Sequence, residues 1–331
     1  MSANPGRFRL PLHALRARLV MAGAFGGALL ALALNVTFSW GDNVRGGAGA
    51  GAGHLSPAAV QAFQSPPHTC LTWGQPDGSD AHRVDCAQPH LFEVTSVADL
   101  SAEYPPGAPV PSLELWQQIS QARCTDAVEP YLGGRPLDPY GRLMVSLLRP
   151  TGAQWADGDR QLRCGLQWAG PGGALQPTVG AAQDQNQSNV WDPGTCLALI
   201  GKAVGDPISC TQPHSYEIIA TLDLKTKFTG GYPSQDDQKT WLDTTCAKSA
   251  ADYTSGSDLG AKGLILTWDV REQESWDAGS TLVNCKVGAK LPDDSGLASV
   301  EGSVKVAPGS GDGPPPSSPP PGSPPPSATG G

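Results

Sequence analysis

Apolar and polar positions along the chain fall into strand-length and helix-length segments, and each kind of segment comes twice. Leu91 to Val97 and Tyr216 to Leu222 are β-branched and apolar enough for strands, as are Leu143 to Leu148 and Gly263 to Trp268. Leu162 to Trp168 and Thr281 to Val287 are the hairpin partners of the latter two. Their turns are Asp157-Gly158-Asp159 and Ala278-Gly279-Ser280, where glycine takes positive φ without a Cβ clash. Upstream, one strand begins near Cys70 and another near Val84, separated by the Gly, Pro and Asp-rich turn Gly74 to Asp80. Pro111-Ser112-Leu113-Glu114 opens a helix, and Leu115, Trp116, Ile119 and Val128 give it a partial apolar stripe. The second helix runs from Gln235 to Tyr253, with Asp236 and Asp237 near its positive end. Each unit therefore reads as α+β: an antiparallel sheet with one packed helix.

Motifs confirm a duplication. Cys86-Ala87-Gln88-Pro89-His90-Leu91-Phe92-Glu93 returns as Cys210-Thr211-Gln212-Pro213-His214-Ser215-Tyr216-Glu217. Cysteines 70, 86, 124 and 164 are spaced 16, 38 and 40 apart; cysteines 196, 210, 246 and 285 are spaced 14, 36 and 39 apart. Tyr104-Pro105 matches Tyr232-Pro233, Trp116 matches Trp241, and Tyr131 and Tyr253 each follow the third cysteine by seven. Trp155-x-x-Gly158 and Trp276-x-x-Gly279 each stand nine residues before the last cysteine.

Outside the repeats the character changes. Leu19 to Phe38 is free of charge for about twenty residues, enough to span a bilayer core of roughly 30 Å. Arg7, Arg9, Arg16 and Arg18 precede it, which leaves the N-terminus in the cytoplasm and sends the rest across. An uncleaved anchor is preferred to a cleaved signal peptide because the apolar run continues through Leu34, Val36 and Phe38. The expected order is a basic N-terminus at 1–18, a transmembrane helix at 19–38 and a Gly/Ala-rich linker at 39–65. A short helix near Pro57 to Gln64 fits within that linker. Repeat 1 at 66–170, a linker at 171–189 and repeat 2 at 190–288 follow. A disordered tail at 289–331 closes the chain, and from 308 it holds ten prolines in twenty-four positions, a polyproline II composition.

From residue 41 onward there are 18 Lys and Arg against 31 Asp and Glu, so a phosphate backbone is not attracted and nucleic acid is not a partner. All eight cysteines lie beyond the apolar segment, an even number in an exported region, which points to disulfides. Topology favours Cys70 with Cys86, Cys124 with Cys164, Cys196 with Cys210, and Cys246 with Cys285. The first pair of each repeat staples a hairpin, and the second ties the helix to the last strand. Each is worth roughly 3 to 4 kcal/mol on the loop-entropy model.

In combination these motifs resemble the septum-formation domain family, membrane-anchored extracytoplasmic proteins of actinobacteria. The residues concerned are Cys-x-x-Pro-His-x-x-Glu, Tyr-Pro, a helical Cys, and Trp-x-x-Gly with its closing Cys. The resemblance covers about residues 66 to 288 as two copies. It implies a cell-envelope protein linked to septation, with no activity assigned to the domain and no catalytic residues to carry over.

The candidate binding residues are His90, Glu93, His214, Glu217, Trp155 and Trp276. On a strand, His at i and Glu at i+3 point to opposite faces, which suits an acid/base couple poorly. Zinc ligands come as closely spaced pairs, and here each Cys has another exported Cys as partner, so no metal and no cofactor is expected. Trp155 and Trp276 sit beside turns, where a ring caps the core or offers a platform to a partner. The leading expectation is a non-enzymatic binding or scaffolding module on the outer side of the cytoplasmic membrane. Its partners would be envelope or division proteins or cell-wall polymer, with the N-terminal helix in the membrane. The alternatives are a cell-wall-acting enzyme using His90/Glu93 or His214/Glu217, and a purely structural spacer.

Overall fold

The computed structural model describes residues 56–76 and 78–305. The expected basic N-terminus, transmembrane helix, and Pro-rich tail from 308 lie outside the described residues. Among the described residues, no helix is long and apolar enough to cross a membrane.

The first repeat opens with α1 (Pro57–Phe63), capped by the Ser56 hydroxyl, which accepts from the Ala59 amide at 3.0 Å. Its Ala59, Ala62 and Phe63 bury against Leu71, Phe92, Val94 and Leu148. The last ten residues of the expected linker at 39–65 thus include a helix of this repeat's core, because apolar spacing at 59, 62 and 63 gives it a face to bury. Next come β1 (Cys70–Thr72), β2 (His82–Val84), β3 (Phe92–Asp99), α2 (Leu113–Cys124), α3 (Val128–Tyr131), β4 (Leu143–Leu148), α4 (Gly152–Ala156), β5 (Gln161–Ala169) and β6 (Leu175–Gln176). The second strand ends, rather than begins, at Val84. The sheet order is β2-β1-β3-β5-β4, with β6 on the end of β5, and every pair is antiparallel. Gly165 on β5 is required there, since a Cβ would run into the Phe92 ring and the Glu93 carbonyl.

The second repeat has β7 (Cys196–Ile200), β8 (Ala203–Ile208), β9 (His214–Asp223), α5 (Gln235–Tyr253), β10 (Ile265–Trp268), α6 (Gln273–Asp277), β11 (Leu282–Lys290) and β12 (Leu297–Ala298). Its order, β8-β7-β9-β11-β10 with β12 on β11, is that of the first sheet. Each sheet carries a main helix on its last two or three strands. In α2, Trp116, Ile119, Ser120 and Cys124 are buried; in α5, Gln238, Leu242, Cys246 and Ala250 are buried at a strict four-residue step. The structure bonds Cys70 to Cys86, Cys124 to Cys164, Cys196 to Cys210 and Cys246 to Cys285.

Two expectations about connections change. The stripe from Leu115 to Val128 is not one helix: α2 stops at Cys124 and Val128 opens α3. The Trp-x-x-Gly segments are not tight hairpin turns, because a short helix fills each connection. In the first repeat, the Thr151 side chain accepts from the Gln154 amide while the Gln154 side chain accepts from the Thr151 amide, a capping box that starts α4. Gly158 (φ +96°) and Gly279 (φ +86°) then end the helical turns rather than form hairpins.

The segments expected as linker and as the start of the tail are ordered. Residues 171–189 supply β6, a β-bridge from Thr178 to His90 and a 3-10 turn at Ala182–Asp184. Residues 289–305 supply β12 and the matching bridge from Val300 to His214. Each repeat is therefore closed by a strap lying beyond its last cysteine. The first strap also docks the repeats together. Gln187, fully buried, accepts from the Asp138 amide and donates to the carbonyls of Pro136 and, across the junction, Ala278. Ser275 donates to Asp138 at 2.8 Å, the Leu282 amide donates to the Ser188 hydroxyl, and Trp168 stacks on Trp191 at 4.3 Å.

Candidate functional site

The Pro-His-x-x-Glu element of each repeat lies at the entry to the central strand, β3 or β9, directly beside the first disulfide. His90 precedes β3, which begins only at Phe92, so strand alternation does not govern it. The bridge to Thr178 turns it inward, and its Nε2 comes to 3.7 Å from a Glu93 oxygen. The expectation that the two residues face opposite ways fails for this reason. Both are almost fully buried, at 1% and 2% exposure.

Burial forces each polar atom to find a partner. His90 Nδ1 lies 2.9 Å from the Gln88 carbonyl, which only accepts, so this nitrogen carries the proton. In the neutral ring Nε2 is then an acceptor, and Thr178 Oγ1, at 3.1 Å, donates to it. Glu93 accepts from the Tyr131 hydroxyl and, at 2.8 Å, from the Ala182 amide of the strap. Tyr131 stacks on His68 at 4.7 Å. Burial, reinforced by the hydrogen bond to Glu93, holds the Tyr131 phenol well above its ordinary ionisation range.

The second repeat builds the same constellation. Glu217 accepts from Tyr253 at 2.8 Å, from the Ser303 hydroxyl at 2.6 Å and from the Val304 amide at 2.6 Å. Burial and then Glu217 likewise push the Tyr253 phenol upward. His214 Nδ1 meets the Gln212 carbonyl at 2.9 Å, but Nε2 is buried without a partner, since the strap residue opposite is Val300.

The tyrosines and strap residues complete the site beyond the Pro-His-x-x-Glu motif. A signal for the tyrosines was present: seven residues is two helical turns, which in α5 puts Tyr253 on the face of Cys246 and hence against the sheet. The straps gave none, because each is a two-residue strand plus loop. Donor atoms of Cys70, His90 and Glu93 lie within 4.8 Å of one another, as do those of Cys196, Cys210 and Glu217. Their sulfurs are held in disulfides, and a metal needs thiolates, so the bonded protein does not offer these sets as ligands.

Trp155 belongs to the core rather than to a surface platform. It is 2% exposed, donates to the Ala108 carbonyl at 2.8 Å, and packs edge-on to Trp116 and Tyr104 with the Arg160 guanidinium 3.9 Å from its ring centre. Trp276 is half-buried beside Tyr232, with the Lys225 ammonium 5.8 Å from its ring centre. A cleft of about 410 Å³ opens between the repeats, walled by Trp168 and Trp191.

Fold and site define a tandem of disulfide-tied α+β repeats, each closed by a strap onto a buried glutamate. The chain belongs to the septum formation family, which its residues 67–285 match across both repeats. Two uncharacterised membrane proteins of Mycobacterium tuberculosis, from strains CDC 1551 and H37Rv, are each 35% identical to it over 248 residues, 72% of this chain and 54% of theirs. The chain spans about half the length of these curated relatives. No solved structure matches.

Proposed function

We propose that this chain is a non-enzymatic, membrane-anchored protein of the cell envelope, and that its paired repeats act outside the cytoplasmic membrane as a binding or scaffolding module in septum formation. The observation that carries this reading is the state of the two glutamates. Their oxygens are buried and already accept from tyrosine hydroxyls and strap amides, so they serve to close the fold and are not presented to a substrate. Family membership and the membrane-protein relatives support the location. The partner is an envelope or division protein or the wall polymer, recognised by the surface of the docked pair and not by His90, Glu93, His214 or Glu217.

The test is recovery of the tagged full chain from envelope extract, together with imaging of a fluorescent fusion in dividing cells. Concentration at the division site with co-recovered division or wall components is the expected result. Uniform distribution around the membrane, with neither class enriched, overturns the proposal.

A further inference from the structure

We propose that the cleft between the repeats is a saccharide site, taking a neutral pyranose unit of a polysaccharide. The proposal deepens the envelope reading and rests on it for the source of the ligand. The cleft, about 410 Å³, lies within the size range of small-molecule sites and sits where two domains meet, a common place for them. Trp191, half-buried, stacks at 4.3 Å on the buried Trp168, whose other neighbour is the Arg142 guanidinium, 5.4 Å from the ring centre. Trp191 is thereby held as a rigid indole at the cleft wall, the kind of surface on which the C–H face of a sugar ring packs.

Polar groups around the indoles fit the sugar's edges. Arg142, Gln176, Asp192 and Thr195 line the same cleft and provide both donors and acceptors, as ring hydroxyls require. The single cation and single anion among the lining residues balance, which favours a neutral ligand over a phosphate or carboxylate. Thr178 and Val179 of the first strap line the same wall beside these polar groups. Both repeats and the segment joining them contribute to the wall, so the site exists only in the docked pair.

The test uses the full chain labelled with 5-fluorotryptophan in a sugar-free detergent, with N-acetylglucosamine disaccharide as probe. Fluorine resonances of Trp168 and Trp191 are assigned by W168F and W191F. Expected are saturable shifts of these two, with a dissociation constant of about 1 mM. Trp191→Ala weakens binding at least tenfold and Asp192→Asn, at an exposed position, about threefold, while the Trp155 and Trp276 resonances stay in place and report an intact fold. The proposal is overturned by any of three results. They are no saturation at about 10 mM, equal binding by W191A, or shifts caused by a peptide of residues 308–327 and not by the disaccharide. Because the assay uses purified protein, its failure is distinct from a failure to reach the septum.

Discussion

The two repeats place the same three side chains, a histidine, a glutamate and a tyrosine, at the equivalent point of matching sheets, yet satisfy them differently. In the first, the strap brings Thr178 to His90 and one amide to Glu93; in the second, it brings Val300 to His214, and a hydroxyl with an amide to Glu217. The glutamate–tyrosine–strap tie is common to both, whereas the partner of the histidine is not. A buried carboxylate stripped of water is tolerated only when its oxygens are filled, and both straps meet that condition. A single buried imidazole nitrogen without a partner is far less costly, and the second repeat carries one at His214 Nε2. The shared part is thus a closure device, and the differing part shows how much imperfection it bears.

The largest effect should come from removing the acids. Glu217→Ala strands three donors, those of Tyr253, Ser303 and Val304; Glu93→Ala strands two, those of Tyr131 and Ala182. Tyr131 and Ala182 are buried, so E93A strands both away from water at about 1 to 2 kcal/mol each, a loss of about 2 to 4 kcal/mol. Ser303 is exposed and Val304 and Tyr253 are half-buried, so water takes up part of what E217A strands and the expected loss is about 1 to 3 kcal/mol. Thermal melts of the full chain should show the larger drop for E93A. An equal or reversed order would break the claim that burial of the donors sets the strength of each tie.

The tyrosines rank next, and pH isolates them. Both phenols have folded pKa values raised by burial and by their glutamates. A raised acid contributes stability that is fully present below the unfolded pKa of about 10 and is lost as pH rises above it, since the unfolded chain then releases protons that the folded chain keeps. Stability should therefore fall with rising pH from about 10 upward. Y131F and Y253F should each flatten that decline, and at neutral pH each should cost about 1 to 2 kcal/mol for the lost charge-assisted hydrogen bond. Denaturation curves at pH values on either side of 10 measure both. A decline left as steep in the double variant would show that other groups cause it.

Much of this was legible in the sequence, for reasons the residues make plain. The cysteine register and the strand-length apolar runs gave an α+β repeat, because disulfide and sheet geometry leave periodic marks. Helix α5 was legible to its ends, since Ser234 caps it, with two acids in its first turn and its buried positions on one stripe. The straps were not: Leu175–Gln176 and Leu297–Ala298 are too short for any period, and their residues look like linker because backbone amides do much of the bonding. The inward turn of His90 was hidden for the same reason, as it depends on a strap residue 88 positions away. Trp155 misled by proximity to a glycine; Thr151-x-x-Gln154, a capping box, stood in plain view just before it.

The smallest and sharpest test exchanges the one strap position that differs. Thr178 and Val300 occupy matching bridges and are nearly the same size, so swapping them changes a hydroxyl and little else. Thr178→Val leaves His90 Nε2 in the condition of His214 Nε2, buried without a donor, and should destabilise by about 1 kcal/mol or slightly more. Val300→Thr offers His214 the missing donor and should stabilise by up to about 1 kcal/mol. The double exchange should then be close to neutral, because the two sites lie in different sheets and share no partner. Nitrogen-15 spectra of the imidazoles give a second readout: hydrogen bonding at Nε2 should vanish from one histidine and arise at the other. If V300T melts lower than the parent and the His214 nitrogen does not move, the hydroxyl does not reach the ring. The two straps then differ in path as well as in chemistry, and the likeness of the repeats ends at the glutamates.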